Sequence, residues 1–131
     1  MTIGSGLQSI GASAFYDCGQ LVNLTIASTN LTTIGKHAFQ QCYLLASPLF
    51  LPALVVLEFE TFKDCDALTE VTFGDALVSI ATSAFYSCDS LSRVTIGSGL
   101  QSIGTRAFYY CGQLVNPVSY THLTLPTILL V

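Results

Sequence analysis

Basic side chains are almost missing from this sequence: Lys36, Lys63, Arg93 and Arg106 are the whole complement in 131 residues. A surface that neutralises nucleic-acid phosphates needs a cluster of such cations, so no nucleic acid is expected as a partner. Acid is scarce too, with a net charge of −4, and Glu58, Glu60 and Glu70 never gather into a run. Nowhere does an apolar stretch approach the ~20 residues of a membrane span, so no membrane insertion by this segment is expected. The opening Met1-Thr2-Ile3-Gly4-Ser5-Gly6 has neither the basic nor the apolar part of a signal peptide. The five cysteines include no C-x-x-C pair, which argues against a zinc site, and nothing else calls for a metal or a cofactor. No Ser, His and Asp recur together as a triad, and Glu58 with Glu60 is the one carboxylate pair that stands out. An enzyme is not expected.

What the chain has is apolar residues, 51% against 9% charged, and they recur in register. Residues 2–16, TIGSGLQSIGASAFY, return at 95–109 as TIGSGLQSIGTRAFY. Cys18, Cys42, Cys65, Cys88 and Cys111 are spaced 24, 23, 23 and 23 apart. Phe15, Phe39, Phe62, Phe85 and Phe108 keep those spacings, as do Ile10, Ile34, Leu57, Ile80 and Ile103. A fourth column is Leu7, Leu31, Leu54, Leu77 and Leu100. The single longer step is localised between Ile26 and Leu31, near Asn30. A fixed period of this length means an array of stacked supersecondary units.

Within each unit, runs such as Leu68-Thr69-Glu70-Val71-Thr72-Phe73 and Leu91-Ser92-Arg93-Val94-Thr95-Ile96 alternate apolar and polar side chains as a half-buried strand does. Gly97-Ser98-Gly99 and its first-unit copy Gly4-Ser5-Gly6 then supply a tight turn. Neither copy is a phosphate loop, because the glycines run G-x-G-x-x-x-x-G. Ile103, Ala107, Phe108 and Cys111 follow at offsets of 0, 4, 5 and 8, which predicts one face of a short helical segment. Each cysteine then occupies the same small apolar slot, and the five are expected to form a reduced, buried ladder. His37 takes the place of Ser13, Ser83 and Arg106 in other units, which predicts a surface residue of that segment.

The pattern L-x-x-V-T-I, a small polar turn, then L-x-S-I-G-x-x-A-F-x-x-C resembles the BspA-type leucine-rich repeat over residues 1–116. The resemblance implies an α/β fold: a right-handed leucine-rich repeat solenoid of five coils, each a short parallel strand plus a short helical segment, with the strands lining an inner face. It also implies a cell-surface or secreted adhesion-type protein whose repeats contact a protein or glycan ligand. Spacer repeats without a ligand, or a non-catalytic part of a larger enzyme, are the alternatives. The third unit departs from the pattern, with Pro48, Pro52 and Glu58-Phe59-Glu60 replacing the usual residues, so distortion is expected there.

Alternation places the third and fifth residues of each strand motif outward. Those residues are Asn23 and Thr25, Ser47 and Leu49, Glu70 and Thr72, then Arg93 and Thr95, and they form the candidate contact strip. Threonine also has high β-propensity, so a merely solvated face is the plainer account of any one of them. The sequons at Asn23 and Asn30 are taken as chance matches.

After Asn116 the repeat stops. Residues 117–131, beginning Pro117-Val118-Ser119-Tyr120-Thr121-His122, resemble a translated transposase sequencing adapter, and the codons across that stretch test the likeness. Met1 stands in the slot of Val94, so the array is expected to be an uncapped fragment of something longer. Open ends expose core and strand edges, which predicts end-to-end self-association.

Overall fold

A computed structural model of the protein describes residues 1–114; the 117–131 tail lies outside them. The backbone winds as a parallel β-solenoid carrying two rows of very short strands. One row comprises β1 (Thr2–Ile3), β3 (Thr25–Ile26), β5 (Leu49–Leu51), β7 (Glu70–Phe73) and β9 (Arg93–Thr95). The other comprises β2 (Ser9–Ile10), β4 (Thr33–Ile34), β6 (Val56–Leu57), β8 (Ser79–Ile80) and β10 (Ser102–Ile103). Every pairing is parallel, and Ile10, Ile34, Leu57, Ile80 and Ile103 stand in one register across the second row. Between β2 and β10 the chain completes four turns, rather than the five closed coils expected.

The second row, in L-x-S-I-G, is where a helical segment was expected to begin. Two-residue strands give too little alternation for the period of 2 to show.

Among the described residues there is no helix, which corrects the α/β expectation. Ser13, His37, Glu60, Ser83 and Arg106 all have φ between 52° and 60°. Four residues on, Asp17, Gln41, Asp64, Ser87 and Tyr110 have φ between 56° and 62°. A left-handed residue ends an α-helix, so two of them four apart turn the segment into an arc of consecutive turns. Ala14, Tyr16 and Cys18 donate their N–H groups to the carbonyls three residues back. The alternate N–H groups leave the arc: Ser13 donates to Lys36 O at 3.0 Å, Phe15 to Ala38 O at 2.7 Å and Asp17 to Gln40 O at 2.8 Å. Bonds to the next coil thus replace the helical i→i−4 set, which accounts for a backbone conformation that non-glycine residues seldom adopt.

The arc keeps Ala, Phe and Cys on one side, and that side is the core. Phe15, Phe39, Phe62, Phe85 and Phe108 form one offset stack, with centroid separations of 5.0, 5.4, 5.5 and 5.3 Å and interplanar angles of 6° to 10°. The isoleucine column closes over it from the second strand row, and the leucine column from the turns just before that row. Cys42, Cys65, Cys88 and Cys111 are buried free thiols, while Cys18 in the first coil is half-buried. Each buried thiol does more than fill space: Cys42 Sγ donates to Phe15 O, Cys65 to Phe39 O, Cys88 to Phe62 O and Cys111 to Phe85 O, at 3.0 to 3.1 Å. Alanine would fit the slot without this bond.

The extra residue near Asn30 is absorbed by Ser28. Its buried side chain donates to Leu7 O and accepts from Asn30 N–H at 3.2 Å, so the loop bulges without disturbing β4. The third unit is disturbed only on its strand side. Pro48 has no N–H to give, and the first strand row is split between β3 and β5. Glu58-Phe59-Glu60 follows the same arc as the other units, with Glu60 at φ 52°.

Candidate contact surface

The strip predicted from sequence is assembled only in part. Register aligns Thr2 with Thr25, Phe50 with Thr72, and Thr72 with Thr95. Thr25 is exposed, and Thr72 and Thr95 are half-buried, on this row. Asn23 and Arg93 are exposed and Glu70 half-buried beside them. Glu70 and Arg93 are directly paired in the ladder, with Oε1 3.9 Å from the guanidinium. At that exposure the pair adds little stability, and its charges are available to a partner.

Ser47 and Leu49 do not join them. Leu49 is only 3% exposed, inside the core, and the outward residue is its neighbour Phe50, at 57%. Pro48 adds one residue before the strand, and a shift of one exchanges the two faces of a strand. Ser47 turns its hydroxyl onto the backbone of Leu24. Sequence reasoning missed Phe50. Aligning Leu49 rather than Pro48 with Val71 and Val94 would have found it.

Two further features lie outside the strip. Tyr86 and Tyr109 stack at 5.4 Å, Tyr110 meets both, and Lys63 and Arg106 lie over the rings of Tyr86 and Tyr109 at 5.4 and 5.6 Å. Nearby, His37 Nδ1 lies 2.7 Å from Gln40 Oε1 and 3.4 Å from Glu60 Oε2, and Lys63 Nζ lies 3.2 Å from Glu60 Oε1. His37 is therefore a half-buried member of a polar network on a left-handed turn, not a free surface residue.

Three of the thiols, Cys42, Cys65 and Cys88, are poor nucleophiles where they sit. Burial pushes the Cys42 thiol up to about 11, and raises Cys65 and Cys88 well above the ordinary range for the same reason. Among the described residues no group of three or more His, Cys, Asp or Glu is placed to hold a metal ion. No helix there is long and apolar enough to cross a membrane.

The profile of the BspA type leucine-rich repeat region matches residues 1–115, in 6 copies. The chain belongs to the BspA-type leucine-rich repeat family. Three solved structures of leucine-rich repeat proteins are similar to these BspA-type repeats. The T. pallidum leucine-rich repeat protein shares 28% identity at a TM-score of 0.80, over 87% of this chain and 55% of that one. A leucine-rich cell surface protein of Faecalibacterium prausnitzii shares 25% identity at a TM-score of 0.64, over 91% of this chain and 38% of that one. A leucine-rich repeat protein of Bacteroides ovatus shares 28% at 0.59, over 87% of this chain and 35% of that one. The BspA-type repeats here thus span about half, or less, of the length of these proteins. None of the curated proteins matches the chain.

Proposed function

We propose that this chain is a non-catalytic contact module of a larger surface or secreted repeat protein, and that it meets a protein partner on the β1–β3–β5–β7–β9 face. One observation carries the reading: Phe50, a large aromatic, is 57% exposed in a row otherwise made of threonines. An exposed aromatic flanked by small polar side chains and a charged pair is the composition of a protein-binding hot spot. Asn23, Thr25, Glu70, Thr72, Arg93 and Thr95 supply the polar rim. The cell-surface protein of Faecalibacterium prausnitzii supports the location.

The test is binding of the purified chain to immobilised extracellular-matrix proteins. Phe50→Ser and the double reversal Glu70→Lys with Arg93→Glu should each remove most of the binding while the urea midpoint stays put. Equal binding by all variants, or none by the parent chain, would make the array a spacer.

A glycan partner is favoured by a separate observation, the Tyr86–Tyr109–Tyr110 corner with its two cations. Ring faces of that kind suit the apolar side of a sugar. Binding on a glycan array that survives Phe50→Ser and is lost with Tyr86→Ala and Tyr110→Ala would favour it.

A further inference from the structure

The outward column of the second strand row reads Ser9, Thr33, Val56, Ser79 and Ser102, in one register. One residue earlier in each unit stand Gln8, Thr32, Val55, Val78 and Gln101. Both columns are apolar together in the third unit, where Val55 is exposed and Val56 half-buried. Just past that strand, Glu58 holds the place of Gly11, Gly35, Ala81 and Gly104 in the other units. The fold asks for a small residue there. A Cβ on Gly35 would lie 2.5 Å from Ala12 N, and one on Gly104 would collide with Thr82 N. A glutamate at that place meets no need of the coil.

These departures meet in one hollow. A depression of about 350 Å³ is lined by Thr32, Thr33, Val55, Val56 and Glu58, on the row that does not carry Phe50. That is near the lower end of the roughly 300–1,000 Å³ of ligand sites. Two of its polar groups can only accept hydrogen bonds. Among the described residues the half-buried Glu58 carboxylate has no partner, and only its backbone carbonyl is used, by Thr61. Thr32 spends its hydroxyl proton on Gln8 O at 3.3 Å, which leaves its oxygen only lone pairs to offer. A carboxylate beside valines loses hydration without compensation until a cation reaches it. The valines alone have a plainer account in their β-propensity, but that account does not extend to Glu58.

We propose that this hollow receives an arginine side chain of a protein partner. The methylenes of that arginine lie on Val55 and Val56, and its guanidinium reaches the Glu58 carboxylate and Thr32 Oγ1. Long cationic side chains bury their stems on apolar surface while the head keeps polar company. Arginine suits the hollow better than lysine, because its planar fork gives a carboxylate two N–H donors and keeps others for the hydroxyl. The site is separate from the Phe50 face, and either can fail without the other.

The test follows the methyl NMR signals of Thr32, Val55 and Val56 in the full chain during titration with acetyl-Gly-Arg-Gly-amide. Saturable shifts of all three are expected. The same peptide with citrulline, neutral and of nearly the same shape, should give none. Glu58→Gln should weaken binding roughly tenfold or more, the scale of losing a hydrogen bond to a charged group. Val56→Ser should weaken it too while keeping the urea midpoint, because serine already stands in that register in other units. Phe50→Ser should leave the affinity unchanged. The proposal is overturned if the citrulline peptide binds equally, if Glu58→Gln binds like the parent chain, or if the arginine peptide shifts none of the three signals. Tighter binding of free L-arginine than of the peptide would make the hollow a small-molecule site. Shifts that follow the chain's own concentration and vanish with Arg93→Gln or Arg106→Gln would seat a second copy there. Either result also overturns it.

Discussion

The hydroxyl of Ser47 donates to Leu24 O at 3.0 Å and accepts from Leu24 N–H at 2.8 Å, taking both hydrogen-bonding groups of one strand residue onto one side chain. A backbone neighbour would normally serve them, but the next residue is Pro48, which has no N–H. Ser47 thus bridges the gap in the first strand row.

Ser47→Ala leaves a largely buried N–H and C=O without partners. The cost of stranding such groups is about 1–3 kcal/mol. Urea denaturation of the variant against the parent chain measures it, and a change inside error would mean that water serves Leu24 as well as the serine does.

Phe85 sits in the middle of the aromatic stack, fully buried between Phe62 and Phe108. Its truncation to alanine opens a cavity that neighbouring rings, each held at its own level by hydrogen bonds between successive arcs, cannot close. The expected loss is roughly 3–5 kcal/mol, against under ~1.5 kcal/mol for volume-conserving core changes such as Leu57→Met. Equilibrium unfolding of the two variants compares them.

Ser13 is exposed, has φ 57° and gives its N–H to Lys36 O. A β-branched residue suffers most from a left-handed backbone, so Ser13→Val should cost about 1–2 kcal/mol, while Ser13→Gly should stay near neutral. If valine is tolerated there, the arc has an alternative backbone path.

Alkaline pH should weaken the fold. Cys42 titrates at about 11 in the folded chain against 9.0 for an ordinary thiol, and Cys65 and Cys88 are shifted the same way. The folded state therefore holds protons that the unfolded state releases. Stability is full below pH 9.0 and declines as pH rises through about 11. Urea midpoints across that interval check the sign, and Cys42→Ala should flatten the decline. Cys18, half-buried, should be labelled by a thiol reagent before the other four.

The columns of Leu, Ile, Phe and Cys were legible because a core slot repeated at each level demands the same side chain each time. From them followed the family, the parallel stacking, the cysteine ladder and most of the outward strip. Phe50 escaped because Pro48 adds one residue and removes a donor at once, and a period of 2 has no tolerance for a single insertion. The second strand row escaped for a different reason: its strands are two residues long, below what alternation can reveal.

By itself, then, the sequence determined which side chains share a slot, since spacing and volume alone settle that. The tertiary structure decided the backbone between those slots. Offsets of 0, 4, 5 and 8 are met equally by an α-helix and by an arc with two left-handed residues. What separates them is where alternate N–H groups find their carbonyls, and those carbonyls, such as Lys36 O for Ser13 and Ala38 O for Phe15, belong to the next coil. The same holds for the glycines. Gly97 and Gly4 read identically in the chain, and only the backbone of Asp75 lying against one of them gives glycine its reason.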